Sequence, residues 1–344
     1  MDMIGQARVI RRISIMEGKG GSVNTALILL MFLLGLVLTV KGGDLFVDAA
    51  SWMAEVSGIP KFIIGATIVS LCTTLPELLV SLMASASGSI GIAVGNAVGS
   101  VNANLGLIMG ISAVCAAGAV KRRQQAVKYV TMAAAIVLML LFSLGGRLSI
   151  AGAVVLLLLF AANMAESALR AKKSMNAAPA SRPQADRHST AVNLVKFVLG
   201  IAGIVIGARL LVDYGTKLAQ LLGVPDSVIG ATLVAVGTSL PELVTTIAAI
   251  VKKQSGLSIG NIVGANIIDL TLILPLCSIV SGRELPILAQ NIRLDMPVCL
   301  GLSLLAIVPP LITGRFRRAQ GVVLLGCYAA YIVVLCLRIP GLVG

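Results

Sequence analysis

Long apolar runs alternate with short polar connections along most of this chain, from residue 24 to residue 338. A helix rises about 1.5 Å per residue and bilayer hydrocarbon is roughly 30 Å thick, so about 20 apolar residues make one crossing. Ten such runs are predicted, at 24–45, 61–86, 90–118, 127–145, 148–169, 192–213, 227–251, 257–280, 294–313 and 319–338. The expected fold class is all-α integral membrane with ten transmembrane helices. The least apolar stretch, Lys172 to Thr190 (KKSMNAAPASRPQADRHST), has the Pro, Ser, Ala and charge content of a linker. It divides the chain into an N-terminal tail (1–23), a first five-helix repeat (24–170), a linker (171–190) and a second five-helix repeat (191–344).

Composition agrees with a lipid solvent. Of 344 residues 58% are hydrophobic and 12% charged, with a mean hydropathy of +1.01, more apolar surface than a water-soluble core can hide. An aromatic content of 3% argues against a membrane β-barrel, whose girdles are aromatic. The net charge of +13 would suggest nucleic acid in a soluble protein, but here the basic residues lie between apolar spans and orient them. Seventeen of the 27 Lys and Arg fall on the side of the loops after spans one, three, five, seven and nine. That side is therefore expected to be cytoplasmic, the linker with it, and both termini external, in a multi-pass protein of the cell (inner) membrane. Arg8, Arg11 and Arg12 in the tail run against this orientation. The first apolar run is long and has no A-x-A-like cleavage site before Lys41, so an uncleaved helix is expected rather than a signal peptide. Six cysteines without a C-x-x-C pair and a lone histidine, His188, in a polar stretch suggest neither a zinc site nor a disulfide framework.

An internal repeat is the most informative feature. Residues 65–100 align without a gap onto 230–265 at a constant offset of 165, with 15 of 36 positions identical. The first copy reads GATIVSLCTTLPELLVSLMASASGSIGIAVGNAVGS and the second GATLVAVGTSLPELVTTIAAIVKKQSGLSIGNIVGA. The matches include Gly65/Gly230, Thr73/Thr238, Pro76/Pro241, Glu77/Glu242, Gly95/Gly260, Asn96/Asn261 and Gly99/Gly264, which chance similarity between Leu-rich helices does not produce. Five spans per half put the second copy in the membrane upside down, so the repeats are inverted about an axis in the membrane plane, with substrate expected where they meet.

Each copy carries a proline and a glutamate in mid-span. Pro76 and Pro241 have no N–H and clash with the preceding turn, so the helix is expected to break and free carbonyls near residues 72 and 73, and 237 and 238. Such carbonyls are tolerated only in buried protein or a hydrated cavity. A carboxylate at mid-membrane costs several kcal/mol, so Glu77 and Glu242 read as functional, and no basic residue in the same spans is available to pair with them. Carboxylate, hydroxyl, amide and carbonyl oxygens suit Ca2+, with Na+ similar, whereas soft transition metals would want sulfur or imidazole. A second segment adds oxygens: Asn96, Ser100, Asn102 and Asn104 in one half, Asn261, Asn266 and Asp269 in the other. The glycines of each G-N-x-V-G read first as packing devices. For Asn96 and Asn261 an interhelical hydrogen bond and a ligand role weigh equally. Asp213 and Asp295, near span ends, read as interfacial.

At these residues the chain resembles the cation/Ca2+ exchanger superfamily, and within it the prokaryotic Na+/Ca2+ exchangers with two inverted repeats. The resemblance rests on the paired T-[TS]-L-P-E and G-N-x-x-G-[SA] motifs and the ten-span plan. It implies alternating access, with the first and sixth helices sliding past a bundle that holds a cluster of cation sites. It implies Glu77 and Glu242 as shared central carboxylates and Thr73 and Thr238 as ligands through their carbonyls. Side-chain ligands would be Thr74, Ser239, Ser100, Asn104 and Asp269, and Ser70 and Ala235 would give backbone oxygens. Three departures bear on the counter-ion: Cys72 stands opposite Gly237, Ala265 opposite Ser100, and Val101 opposite Asn266.

The function expected is thus a secondary antiporter, not an enzyme, exchanging Ca2+ for Na+ because both ions compete for the same carboxylates. H+/Ca2+ or K+-dependent exchange through the same glutamates is the alternative. An intramembrane hydrolase is more distant, since two glutamates on Gly-rich helices lack a partner base. No cofactor beyond the transported ions is expected; the partners are Ca2+, Na+ and the lipid bilayer, with no nucleic acid, and a monomer is compatible with the sequence.

Overall fold

The computed structural model describes residues 3–118, 122–177, 186–221, 237–282 and 284–337. They form α1 (Met3–Ser57), α2 (Lys61–Thr73), α3 (Leu75–Ala86), α4 (Ile90–Cys115), α5 (Arg122–Ser143) and α6 (Ile150–Ala177). Then follow α7 (Arg187–Leu221), α8 (Leu240–Val251), α9 (Ser255–Ser281), α10 (Asn291–Thr313) and α11 (Arg318–Leu337). Among the described residues eight helices are long and apolar enough to cross a membrane, and the bent pair α2–α3 makes a ninth. The predicted span 227–251 is described only from residue 237, where it contains the apolar α8.

Several helices outrun the apolar segments that forecast them. The span of α1 covers Thr25–Ser57, 33 residues where the sequence suggested 24–45, and the helix itself starts at Met3, inside the expected tail. The linker expected at 171–190 is helical at both ends, where α6 continues to Ala177 and α7 begins at Arg187; residues 178–185 lie outside the described residues. Hydrophobicity marks the lipid-facing length, while backbone hydrogen bonding continues until a cap ends it. Asp186 supplies that cap for α7. It accepts the Ser189 N–H at 2.8 Å, and hydrogen bonds from Ser189 hold its carboxyl below the usual carboxylate range.

Two layers follow from burial. In α4 and α9, 72% and 83% of the apolar window is buried, against 17% in α11, so α4 and α9 form the centre and α11 faces lipid. The main core joins α4 and α9 to α5, α6 and α10 through residues such as Val98, Tyr129, Leu156, Ile262 and Leu302. Outside it, α1 and α7 lie against each other along glycines. A Cβ on Gly42 would come within 2.7 Å of the Ile204 nitrogen, and one on Gly200 within 2.7 Å of the Phe46 nitrogen. Backbone therefore packs on backbone.

The loops sort onto two faces. A two-stranded ribbon pairs β1 (Arg147–Leu148) with β2 (Leu285–Pro286), joining the α5–α6 and α9–α10 connections. On the other face the Phe316 N–H donates to the Gly118 carbonyl at 2.9 Å, joining the α4–α5 and α10–α11 connections. A cleft of about 490 Å3 on that second face is lined by Glu55, Lys61, Gln125, Lys253 and Gln254, which brings the α1–α2 and α8–α9 connections to the start of α5.

Candidate functional site

The internal repeat is visible as repeated geometry. Thr74 ends α2 at φ −83°, ψ 1°, and Ser239, 165 positions later, precedes α8 at φ −86°, ψ 6°. Both lie in the sparsely populated bridge region. Each begins a 12-residue helix with its proline at the N-terminus and its glutamate in the first turn. Pro76 has no N–H for the Cys72 carbonyl, and the chain bends 45° between α2 and α3. First-turn carboxylates sit at the positive end of the helix dipole.

A second repeated feature was not legible in the sequence. Within α4 the five residues Asn104–Ile108 form a π turn, and within α9 so do Asp269–Ile273, again 165 positions apart. Such turns insert one residue into the ladder and recur at functional sites. They place Asn104 and Asp269 at equivalent points. Packing crosses the repeats, since α8, which carries Glu242, rests on the Asn104 turn, and α3, which carries Glu77, rests on the Asp269 turn.

Nearly every site residue singled out from sequence is buried. Ser70, Thr73, Thr74, Glu77, Ser100, Asn104, Ser239, Glu242 and Asp269 are at most 2% exposed, while Thr238 is half-buried. Ala235 lies outside the described residues. Glu77 is close enough to Glu242 and Asp269 for their charges to interact, with Ser239 beside it. Thr73 and Thr74 lie beside Glu242, and Asp269 also interacts with Glu242. One carboxyl from each repeat, and a third from α9, therefore share one interior.

The neighbouring hydroxyls find acceptors other than the carboxylates. Ser239 Oγ bonds Ser100 Oγ at 3.1 Å, Thr74 Oγ1 donates to the Ser70 carbonyl at 2.5 Å, and Thr73 Oγ1 donates to Asn261 Oδ1 at 3.0 Å. Both oxygens of Glu77, Glu242 and Asp269, and Asn104 Oδ1, lack a well-formed hydrogen bond from the protein, although the hydroxyls of Ser239, Thr73 and Thr74 lie near the glutamates. Removing one partner of a buried ion pair costs about 3–5 kcal/mol, so a cluster of unpaired carboxylates calls for a cation or a proton. Among the described residues no three His, Cys, Asp or Glu side chains converge as a metal cage. A cation held here must draw on hydroxyl, amide and carbonyl oxygens as well, the set suited to hard ions.

Sequence reading missed some polar groups. Thr245 and Thr246, within the apolar stretch after Glu242, are fully buried and their hydroxyls have no partner. Asp295, read as interfacial, is 4% exposed: it accepts from Asn291 Nδ2 at 2.8 Å and from the Tyr331 hydroxyl at 3.1 Å. Its place at a span end concealed that α4 and α11 pack over it.

Known proteins resemble this chain over most of its length. A family model described as sodium/calcium exchanger protein matches residues 27–167 and 192–337. The chain is 35% identical to the sodium/calcium exchanger MaX1 of Methanosarcina acetivorans, over 89% of this chain and 97% of that protein. It is 34% identical to the inner membrane protein YrbG of Escherichia coli, over 91% and 98%. A solved structure of the sodium-calcium exchanger NCX_Mj, soaked with Na+ and Ca2+, superposes with a TM-score of 0.77 at 33% identity, covering 90% of this chain and 98% of that one. This chain belongs to the sodium/calcium exchanger protein family.

Proposed function

We propose that this protein is a secondary antiporter that carries Ca2+ one way and Na+ the other through one shared site. The observation that carries this reading is the burial of Glu77, Glu242 and Asp269 within range of one another's charge, with carboxylate oxygens that lack a well-formed hydrogen bond from the protein. Ca2+ would be held between Glu77 and Glu242. The carbonyls of Ser70, Thr73, Thr238 and Ala235 and the side chains of Thr74, Ser239, Ser100, Asn104 and Asp269 complete the donor set for Ca2+ and Na+. Both ions use the same carboxylates, so full occupancy by one excludes the other, which makes the carrier an exchanger. Where unequal charge moves, voltage contributes about 2.3 kcal/mol per charge per 100 mV.

The architecture proposed is ten spans in two inverted halves, 24–170 and 191–344. The matched element lengths at an offset of 165 support it, as does the two-part family match. So does the sorting of loops, since every pair brought together is separated by an even number of crossings in a ten-span count. Placement in the inner membrane with the linker cytoplasmic and the termini outside rests on the distribution of Lys and Arg. The test is 45Ca2+ uptake into vesicles holding an imposed Na+, K+ or H+ gradient. Uptake is expected only with outward-directed Na+; uptake driven by a pH gradient without Na+ would replace this reading with H+/Ca2+ exchange.

A further inference from the structure

Two hydrogen bonds cross between the repeats in the same way. Thr73 of the first repeat donates to Asn261 Oδ1 of the second at 3.0 Å, and Thr238 of the second donates to Asn96 Oδ1 of the first at 3.0 Å. Both threonines are the residue just before a helix break, and both asparagines are the second residue of the G-N-x-V-G motif. The threonines differ by 165 positions and so do the asparagines, so the two bonds are one contact made twice. The orientation of the Asn96 amide is set by its surroundings: Nδ2 donates to the Glu77 carbonyl at 3.2 Å and to Ser81 Oγ at 2.9 Å, which turns Oδ1 toward Thr238. Asn96 thus touches both breaks, α3 through the Glu77 backbone and α8 through Thr238. Asn261 is anchored differently. Its backbone nitrogen lies at the closest crossing of α2 and α9, 3.0 Å from where a Cβ on Gly65 would stand.

We propose that Asn96 and Asn261 are positioning residues, each holding the helix break of the opposite repeat so that the carbonyl of Thr73 or Thr238 faces the shared site. At a broken helix end the carbonyl direction follows that residue's own φ and ψ, with no further turn to fix it. Tethering the side chain of the same residue to the other repeat removes that freedom and ties the geometry of one half to the other. The two tethers are unequal. Asn96 makes three hydrogen bonds, whereas Asn261 Nδ2 and Thr246 Oγ1, the counterparts of the groups that join Asn96 to Ser81, have no partner. Asn96 carries more of the coupling.

This inference rests on the exchange reading, and Na+-driven 45Ca2+ uptake into vesicles tests it by double-mutant cycles. Thr73→Val and Asn261→Leu should each raise the KM for Ca2+ about fivefold to tenfold with kcat nearly kept, since a hydrogen bond of roughly 1 kcal/mol orients the ligand. The Thr73→Val/Asn261→Leu double variant should be no worse than the poorer single one. Thr73→Val/Thr238→Val, which breaks both tethers, should multiply the two effects. Asn96→Leu should raise KM more than Asn261→Leu. KM does not depend on the amount of protein inserted, so a merely structural role would lower uptake without this pattern. Where a leucine variant does not accumulate, Asn→Ser at the same position is read in the same cycle. Effects that multiply within a pair, or loss of all uptake on replacing an asparagine while Thr→Val leaves KM unchanged, would overturn the proposal in favour of asparagine ligands. Absence of Na+-driven uptake in the wild type would overturn the exchange reading itself and is seen before any variant is compared.

Discussion

The proposed site centres on Glu77 and Glu242, each at most 1% exposed and neither with a well-formed hydrogen bond from the protein. Glutamine keeps the shape and removes the charge, so Glu77→Gln and Glu242→Gln are each expected to lower Ca2+ uptake at least a hundredfold. The variants should still insert, since a neutral amide is cheaper to bury than a carboxylate. Uptake normalised to membrane protein checks this. A subtler residue-scale prediction concerns Ala265, which is fully buried where the first repeat has Ser100. Ala265→Ser adds an oxygen next to the site, and its hydroxyl can bond the preceding turn of α9. Half-saturation by Na+ is expected to fall about threefold with the Ca2+ KM little changed, read from Na+-dependent Ca2+ efflux. The burial of Glu77 and Glu242 was foreseeable because charge and proline in mid-membrane are costly and so stand out. Thr245, Thr246 and the buried Asp295 were not, because a hydroxyl in an apolar run is common and a carboxyl at a span end is usually wet.

At the scale of the element, glycine sets how near α2 and α9 can come. A Cβ on Gly260 would overlap the Phe62 carbonyl and stand 3.0 Å from the Ala66 nitrogen, backbone atoms that cannot yield without moving a helix. Gly260→Ala is therefore expected to cost at least about 2 kcal/mol, seen as a lower melting temperature of the purified protein in detergent. Gly301, whose added Cβ meets nothing within 4 Å, is the control, and Gly301→Ala should be neutral or slightly stabilising in α10. The breaks at Thr74 and Ser239 were readable from Pro76 and Pro241, since proline acts through covalent geometry. The π turns at Asn104 and Asp269 were not, because no residue type enforces one extra residue in a turn; packing against α8 and α3 accompanies it. Helix ends were blurred for a related reason: α1 and α6 continue through polar sequence that hydropathy treats as loop.

For the whole molecule, the offset of 165 found in the sequence recurs between the breaks at Thr74 and Ser239 and between the turns at Asn104 and Asp269. The proposed cytoplasmic face rests on charge rather than on packing. In a cysteine-free background, Arg147→Cys is expected to react with a membrane-impermeant maleimide in intact cells, and Lys173→Cys only in inverted vesicles. The reverse pattern would turn the protein over. The central claim is that one carboxylate from each half holds the same Ca2+ and that Na+ displaces it. Equilibrium 45Ca2+ binding to the purified protein measures this most directly. One saturable component is expected, displaced by Na+ and lost in both Glu77→Gln and Glu242→Gln; undiminished binding in either variant, or binding indifferent to Na+, would contradict it.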